Sequence, residues 1–381
     1  MRNLRICTLV FLFSCSSGED VLTEETSYYY QVEVGNIEGS LVSAAHTSEG
    51  FLIKDPISDE IIHFYRKDSS STSNHIGNGG HLVTRSSPDQ GTTWSKESVV
   101  YADEFDDRNI HGGIIDEFYV AIFMRRINVP DPERFSYLDV DHRALIYDLR
   151  INQLVDTIVF DAPAMRGTTG SNHLFYVKDK GYFNSFFEHY KVSYRFLQSI
   201  EDLNSGWTTA YDYQQSNEFY VTESSFTSVN DTIIIGLTRD QSQIDTANHY
   251  QLISLDQADT WLAPQRTNIA LPYFCPAPLI FQDEKSELLI SIATDRRENG
   301  SESQLWVYSN TIDSCLASAK SWEFVKSFSI PHPSDYYFYG YPTAVSLDED
   351  SYLVIFTDSN KDSSTGRENA DFFQFTISIF K

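Results

Sequence analysis

The chain has 381 residues, with 28 Lys and Arg against 54 Asp and Glu, which gives a formal charge of −26. This charge repels polyphosphate, so it excludes a general nucleic-acid binder and a protein held by charge on an anionic membrane surface. The 26 Phe and 23 Tyr supply enough apolar surface for one large folded domain or two ordinary ones. Tyr, Phe, Thr, Ser, Ile and Val dominate while Met is sparse, and this composition predicts an all-β protein.

The N-terminal residues have the features of an export signal. Arg2 and Arg5 precede an apolar run that ends at Leu12-Phe13-Ser14-Cys15 and is too short to span a bilayer as a helix. The pattern resembles a bacterial lipoprotein signal of the Bacteroidetes type, which implies a lipid on Cys15 and an outer-membrane protein at the cell surface. An ordinary secretory signal and a periplasmic location are the alternatives. The predicted segments are a signal peptide at residues 1–14, a tether at 15–27 and one domain at 28–381.

Internal repetition is the most informative property of the sequence. An apolar strand recurs at starts about 50 to 63 residues apart, and each copy lies between a strand rich in small residues and a further strand. Six such units of four strands predict a six-bladed β-propeller, in which each blade packs on its neighbours, whereas a two-domain sandwich is the alternative. The repeated strands are at 61–65, 119–123, 182–187, 233–237, 288–292 and 352–356.

The last unit has only three strands of its own, all of them following Tyr341. We expect a strand at 28–34 to supply its fourth, outer strand, because pairing the two ends of the chain removes the exposed edges of an open ring. The prediction is therefore a ring that both ends of the domain close.

A turn motif occurs between the third and fourth strands of the first unit. Ser87-Pro88-Asp89-Gln90-Gly91-Thr92-Thr93-Trp94 fits the Asp-box pattern S-x-D-x-G-x-x-W. We expect Asp89 to accept hydrogen bonds from backbone amides of the turn, Gly91 to adopt a conformation that other residues avoid, and Trp94 to pack on the hairpin.

Weaker copies of this box, with the same separation of Asp and Trp, occur at 254–261 and 202–207. On these boxes and the six-fold period, the chain resembles the sialidase (BNR-repeat) superfamily over nearly its whole mature length. The resemblance implies that the boxes lie on the face away from the functional site. Asp89 and Asp256 are therefore expected to be structural.

Arginine ends the second strand in four of the six units, in a chain that has few positive charges. The resemblance places these strand ends around the central funnel, where Arg would pair a carboxylate or a sulfate through a planar two-point contact. Solvated strand ends that pair with nearby acids such as Asp68 and Asp240 are the alternative. The predicted substrate-binding arginines are Arg66, Arg126, Arg239 and Arg296, with Arg108 in the segment between the first two blades.

The resemblance also implies a hydrolytic mechanism. Sialidases use a Tyr nucleophile, a Glu that activates it and an Asp as acid and base, and the matching residues are Tyr341, Glu223 and Asp107. Sialidases carry an Arg in an F/Y-R-I-P motif ahead of the first blade, whereas the stretch at 36–41 has no Arg. We expect an exported enzyme, a sialidase-like glycoside hydrolase that acts on a carboxylated or sulfated sugar.

Histidines support a rival hypothesis, a polysaccharide lyase or a dehydratase that acts on a uronic acid by β-elimination. Propeller lyases such as those acting on ulvan neutralise the uronate carboxylate with Arg and remove the adjacent proton with His or Tyr. His111 is then the catalytic candidate, and His142 would border the funnel if it lies in a loop. Hydrogen bonding to loop backbone is the alternative role. The further binding candidates are His75, His189 and Tyr190.

A cell-surface lectin that captures acidic glycans is the third hypothesis, since the aromatic residues at 336–339 would stack on sugar rings. The many titratable groups at one mouth favour an enzyme. No spacing such as H-E-x-x-H predicts a metal site, and we predict no cofactor. The expected partner is an acidic oligosaccharide or polysaccharide, with contact to the membrane only through the lipid anchor.

Overall fold

The computed structural model describes most of the chain from residue 30 to residue 380. The described residues are 30–39, 45–68, 79–131, 136–160, 169–170, 173–188, 191–199, 202, 206–212, 215, 221–240, 247–271, 277–294, 303–330, 340–361 and 368–380. In these ranges no helix is both long enough and apolar enough to cross a membrane.

The strands form antiparallel units of four in chain order, as the repetition predicts. The first unit contains β2 (His46–Lys54), β3 (Ile61–Asp68), β4 (Gly80–Ser87) and β5 (Ser98–Tyr101). The second unit contains β6 (Asp106–Ile114), β7 (Tyr119–Asp131), β8 (Ser136–Asp148) and β9 (Gln153–Phe160). The third unit contains a divided inner strand, β10 (Thr169–Gly170) and β11 (Phe175–Val177), followed by β12 (Gly181–Glu188), β13 (Lys191–Leu197) and β14 (Thr208–Asp212).

The remaining three units complete the all-β architecture. The fourth unit contains β15 (Val221–Val229), β16 (Ile233–Asp240), β17 (Ala247–Ser254) and β18 (Gln265–Leu271). The fifth unit contains β19 (Leu279–Asp283), β20 (Leu288–Thr294), β21 (Ser303–Thr311) and β22 (Glu323–Ile330), with helix α1 (Ile312–Ala317) between the last two. The sixth unit contains β23 (Gly340–Ser346), β24 (Ser351–Lys361), β25 (Glu368–Phe380) and β1 (Gln31–Val34).

The predicted pairing of the two chain ends is confirmed. Strand β1 lies antiparallel to β25, with Gln31 opposite Phe380 and Val34 opposite Ile377. At the other end of the same edge of β25, His46 of β2 pairs with Ala370, so the last unit also meets the first. The N-terminal strand thus covers the outer edge that the sixth unit would otherwise expose.

Burial explains why the second strand of each unit is the most apolar. All seven residues of β20 are buried, because both faces of this strand are covered, whereas the outer strand β9 has mostly exposed or half-buried side chains. Six hydrophobic clusters fill the spaces between consecutive units. One of them, which includes Leu52 and Leu353, joins the first unit to the sixth.

The first Asp box has the predicted geometry. Asp89 accepts hydrogen bonds from the Thr93 amide at 2.7 Å and from the hydroxyls of Thr93 and Ser87, and these bonds lower the pKa of its carboxyl. Gly91 has φ 89°, and a Cβ there would lie 2.8 Å from a methyl of Leu353. The Trp94 indole donates to Gln374.

The second box repeats this geometry and the third does not. Asp256 accepts from the Thr260 amide at 2.8 Å and from the hydroxyls of Thr260 and Ser254. Asp202 instead accepts from two amides that precede it in the chain, those of Gln198 and Ser199. Two of the three boxes therefore form the same turn.

Two expectations about local structure are wrong. The segment at 106–111 is not a connection between blades but part of strand β6, where all six of its residues are buried between neighbouring units. His142 lies within β8 rather than in a loop, and its ring packs against Phe160 and Phe186.

The cysteines of the body do not form a disulfide within the described residues. Cys315 lies on α1 with a free, fully buried thiol that donates to Gln251 at 3.1 Å. Cys275 lies outside the described ranges.

Candidate functional site

Irregularities in the inner strands build the candidate site. The strand pairing shifts register at one place in each of β2, β6, β15 and β23, and such bulges turn a side chain away from the regular pleat. The residues at these four places include Glu49, Asn109, Glu223 and Tyr341. Three of them have left-handed backbone, with φ 54° at Glu49, 56° at Asn109 and 52° at Tyr341, a conformation that costs free energy in residues other than Gly.

All four of these side chains line one pocket. The enclosed part of the pocket is small, about 50 Å³, and it opens to solvent at its mouth. Bulges on separate strands therefore converge on a common space. The other lining residues are Gly50, Phe51, Ile110, His111, His173, Ala277, Pro278, Leu279 and Pro342.

Glu223, Tyr341 and His111 are predicted catalytic residues that line this pocket together. Glu223 is mostly buried and accepts from Nη1 of Arg239 at 2.5 Å, so its carboxylate has a fixed orientation and a balanced charge. Tyr341 is half-buried at the bulge of β23, directly before Pro342. Glu223 and Tyr341 border the same pocket although 118 positions separate them in the sequence. Glu223 lies in the fourth unit and Tyr341 in the sixth, so the arrangement of the fourth to sixth units places them at one pocket.

Glu49 is a lining residue that sequence reasoning missed. Its carboxylate accepts from the backbone amide of Asn109 and lies 3.4 Å from Nη2 of Arg108. The bulges of the first two units are thereby tied to each other. The adjacent Gly50, inside strand β2, was the available signal, since Gly in a strand often marks a bulge.

His111 lines the pocket as a neutral ring. Its Nδ1 lies 2.9 Å from the carbonyl oxygen of Asn109, and its ring stacks on Phe123 at 5.2 Å. Burial lowers the pKa of His111 to about 4, against the opposing effects of the Asn109 carbonyl and the Asn184 side chain. The imidazole is therefore uncharged at neutral pH.

His173 is the second neutral histidine of the pocket and was also missed. It lies between β10 and β11, and its Nε2 is 2.8 Å from Oγ1 of Thr343 on β23. Burial lowers its pKa to about 4, and His111 adds to the effect. No sequence pattern pointed to this residue, because its position depends on the break in the inner strand of the third unit.

Arg66 is placed away from the pocket lining. Its guanidinium has no exposed surface and donates to Oδ1 of Asp106 from both Nε and Nη2, at 3.2 and 2.6 Å. Nη1 lies 3.4 Å from Nδ1 of His46, and Asp68 is 3.8 Å from Nη2. This arginine therefore joins the first unit to the second.

Arg126 is also engaged by carboxylates. It pairs with Asp103, with Asp141 at 2.7 Å and with Asp107 at 3.7 Å, and its guanidinium covers the ring of Phe105. Asp107 itself has no exposed surface, and burial raises the pKa of its carboxyl to about 8, with the neighbouring Asp103 as the next cause. Asp107 does not line the pocket.

Several predicted residues lie outside the described ranges: Cys15, His75, His189, Tyr190 and Arg296. Among the residues that are described, no group of three or more His, Cys, Asp or Glu is arranged to hold a metal ion.

The fold is similar to that of sialidase-like β-propellers among solved structures. The chain is similar, at a TM-score of 0.68 and 13% identity, to a protein of unknown function from Dyadobacter fermentans, over 92% of this chain and 99% of that one. It is also similar to the NanB sialidase of Streptococcus pneumoniae, at a TM-score of 0.58 and 10% identity over 87% of this chain and 68% of that one. The leech intramolecular trans-sialidase matches at a TM-score of 0.54 and 9% identity, over 90% and 70% of the two chains. No protein-family model and no curated protein matches the sequence. The likeness to these solved structures therefore establishes the fold alone.

Proposed function

We propose that this protein is a glycoside hydrolase that acts on an acidic sugar of a glycan, with Tyr341 as nucleophile and Glu223 as its base. The observation that carries the proposal is the meeting of these two side chains at one pocket, with Glu223 fixed by Arg239 at 2.5 Å. The left-handed backbone of Tyr341 adds support, because such strain persists where a function requires it.

The chemistry follows from the properties of the two groups. The Tyr341 oxygen attacks the anomeric carbon and displaces the glycosidic oxygen of the leaving group, which takes a proton from water, while the Glu223 carboxylate takes the phenol proton. Water then hydrolyses the covalent glycosyl-tyrosine, which releases the sugar and restores the phenol, and Glu223 returns its proton to solvent. A carboxylate is a weak base, and it suits this role because the phenol becomes acidic enough to give up its proton only as its oxygen bonds to the anomeric carbon. The proposal assigns the nucleophile and the base, and it gives no step to Asp107, which has no exposed surface.

An acidic sugar is the proposed substrate because guanidinium groups stand directly behind the acidic lining residues. Arg239 pairs with Glu223 and Arg108 pairs with Glu49, so the charges of the two lining carboxylates are balanced. Balanced charge at the wall removes the repulsion that an anionic sugar would otherwise meet in so acidic a protein. Arg296 remains a proposed contact from outside the described residues.

The test is hydrolysis of 4-methylumbelliferyl glycosides of sialic acid, of glucuronic acid and of neutral hexoses. We expect release of the fluorophore from an acidic glycoside, and loss of that activity in Tyr341→Phe. Tyr176→Phe is the matched control, because Tyr176 is 58% exposed and does not line the pocket.

Other outcomes would contradict the proposal. An unsaturated uronate product, detected by its ultraviolet absorbance with uronic-acid oligosaccharides, would show elimination instead of hydrolysis. Binding of these glycans without turnover would show a lectin. Full activity of Tyr341→Phe would remove the nucleophile from its role.

We propose in addition that the enzyme is an exported lipoprotein anchored through Cys15, and that its six units form a closed ring. Metabolic labelling with palmitate is expected to mark the wild-type protein but not Cys15→Ser. An unlabelled wild-type protein in the cell envelope would contradict the anchor. Separation of β1 from β25 by truncation is expected to destabilise the whole domain if the ring is closed.

A further inference from the structure

Thr343 is the place where three units meet beside the pocket. Its Oγ1 accepts from the amide of Leu52 at 3.1 Å and lies 2.8 Å from Nε2 of His173. Leu52 belongs to the first unit, Thr343 to the sixth, and His173 to the broken inner strand of the third. A parallel bridge to Gly112 and a hydrogen bond from the Leu174 amide to its carbonyl oxygen hold this break against β6.

The hydrogen-bonding capacity of the Thr343 hydroxyl favours one tautomer of His173. A threonine hydroxyl has one proton to donate and two lone pairs that accept, and the Leu52 amide occupies one lone pair. Thr343 is buried, so its hydroxyl proton needs an acceptor; Nε2 of His173, at 2.8 Å, accepts it only if that nitrogen carries no proton, whereas an Nε2–H would leave the hydroxyl proton without an acceptor among the described residues. A neutral ring that accepts at Nε2 carries its own proton on Nδ1.

The neutral state of the ring has independent support. Burial, with a smaller contribution from His111, lowers the pKa of His173 to about 4. At neutral pH the ring is thus an uncharged donor rather than an imidazolium.

The position of Thr343 shows which nitrogen is left for a ligand. His173 lines the pocket and Thr343 does not, so the Nε2 atom of His173 is engaged by Thr343 in the pocket wall and the Nδ1 atom remains for a ligand. We propose that His173 binds an acceptor oxygen of the sugar through its Nδ1–H, and that Thr343 is the positioning residue that selects this tautomer. The identity of the ligand as a sugar rests on the proposed function, whereas the tautomer does not.

A neutral donor also suits the charges of this pocket. The lining carboxylates of Glu49 and Glu223 already have guanidinium partners, so a charged donor at His173 would disturb the balance. An uncharged N–H holds a hydroxyl, ring or carboxylate oxygen by direction rather than by charge. His173 would thereby fix the orientation of the sugar relative to Tyr341.

The tautomer is tested by nitrogen NMR of protein labelled in its histidine rings, without any substrate. We expect the His173 signals to show a protonated Nδ1 in the wild type and in Thr343→Ser, which keeps the hydroxyl. Thr343→Val lacks the acceptor for the Leu52 amide as well as the donor to His173, and we expect its ring to shift towards the Nε2–H form. A protonated Nε2 in the wild type overturns the proposal, and this measurement stands even if Thr343→Val does not fold.

The contact with the sugar is tested on the glycoside that the wild type cleaves fastest in the panel above. His173→Leu has no donor and is expected to raise KM about fivefold, since one hydrogen bond contributes about 1 kcal/mol, with a smaller effect on kcat. His173→Gln supplies an amide donor and is expected to restore most of the affinity. An unchanged KM in His173→Leu overturns the contact.

The failure of this inference can be told apart from failure of the proposed function. If the wild type cleaves none of the glycosides, the proposed hydrolysis is wrong. Calorimetric binding of the same glycosides to the wild type and to His173→Leu then tests the contact between His173 and the sugar. Equal binding, or no binding to either protein, overturns the role of His173. Weaker binding to His173→Leu supports it.

Discussion

Arg66 and Arg239 stand near the ends of equivalent second strands, yet they have different environments. Arg66 on β3 reaches Asp106 on the inner strand of the next unit, and both side chains are almost completely buried. Arg239 on β16 pairs with Glu223 on the inner strand of its own unit, and that carboxylate lines the pocket. The location of the partner carboxylate therefore decides whether such an arginine joins two units or orients a pocket residue.

Local packing strengthens this contrast on the side of Arg66. Oδ1 of Asp106 accepts from Nε and Nη2 of Arg66 and from the Gly80 amide at 3.0 Å. Three donors on one oxygen offset the cost of burying the carboxylate, which unpaired would be several kcal/mol. On the other side, Glu223 remains accessible to a ligand while one guanidinium holds it.

The largest expected effect is on activity, from Glu223→Gln. The amide keeps the shape of the side chain but cannot take the Tyr341 proton, so we expect kcat to fall by roughly 10² to 10⁴. Steady-state kinetics on the fastest glycoside measures the change. The Asp106→Asn variant makes the equivalent change at the buried pair, and an equal loss of kcat in that variant, measured where it is folded, would erase the distinction between the two arginine pairs.

Arg66→Met is expected to give the largest loss of stability, about 3–5 kcal/mol, because it leaves Asp106 buried without its charged partner. Urea unfolding of the two methionine variants measures the contrast. Arg239→Met should cost less, since Glu223 can be hydrated from the pocket. Equal losses in the two variants would show that the position of the carboxylate does not matter.

Gly80→Ala is expected to destabilise the protein by about 1–3 kcal/mol, through crowding at the same buried pair. A Cβ built on Gly80 overlaps Oδ1 of Asp106 and Nε of Arg66, whereas one on Gly206 meets nothing within 4 Å. Gly206→Ala is therefore the matched control in thermal unfolding. A neutral Gly80→Ala would mean that the pair can move apart at little cost.

A pH dependence of stability is expected at Asp107. Burial raises the pKa of this carboxyl to about 8 in the folded state, whereas it is near 4 in the unfolded chain, so the unfolded state alone loses the proton between these values. Stability from this group is present at low pH and falls as pH rises, by up to about 1.4 kcal/mol per pH unit between pH 5 and 7.

Asp107→Asn removes the titrating carboxyl and is expected to flatten the dependence of the unfolding free energy on pH between pH 5 and 7. Unfolding free energies in urea at several pH values measure it. An unchanged slope in Asp107→Asn would assign the pH dependence to other groups. The buried His249, whose pKa burial lowers to about 3, is not one of them. His249 loses stability in the opposite direction, as pH falls below about 6.5, so the two contributions are separable by their sign.

Much of the architecture could be read from the residues themselves. A strand such as Leu288–Thr294 is mostly apolar because neighbouring units cover both of its faces, and that pattern is visible without a structure. The turn at Asp89 depends on contacts within a few residues, so its hydrogen bonds were predictable too. The three-stranded last unit implied a borrowed strand, and β1 is where it was expected.

The site was predicted only in part, for a physical reason. Tyr341 and Glu223 were found because their residue types suit a known chemistry, but Glu49 and His173 were not, because their places depend on a bulge and on a broken strand. A register shift leaves little trace in composition, since it depends on how a strand meets its partner. The buried positions of Asp107 and Arg66 were missed for the same reason.

The sequence by itself determined the repeated all-β units, the borrowed outer strand and the turns that close the hairpins, because local patterning and nearest neighbours specify these features. Only the tertiary structure decided which charges face the pocket and which are buried between units. Arg66 and Arg239 look alike in the sequence, and they differ only because Asp106 lies on the following unit while Glu223 lies on the same one. Distances between units decide pairing, and no single repeat contains that information.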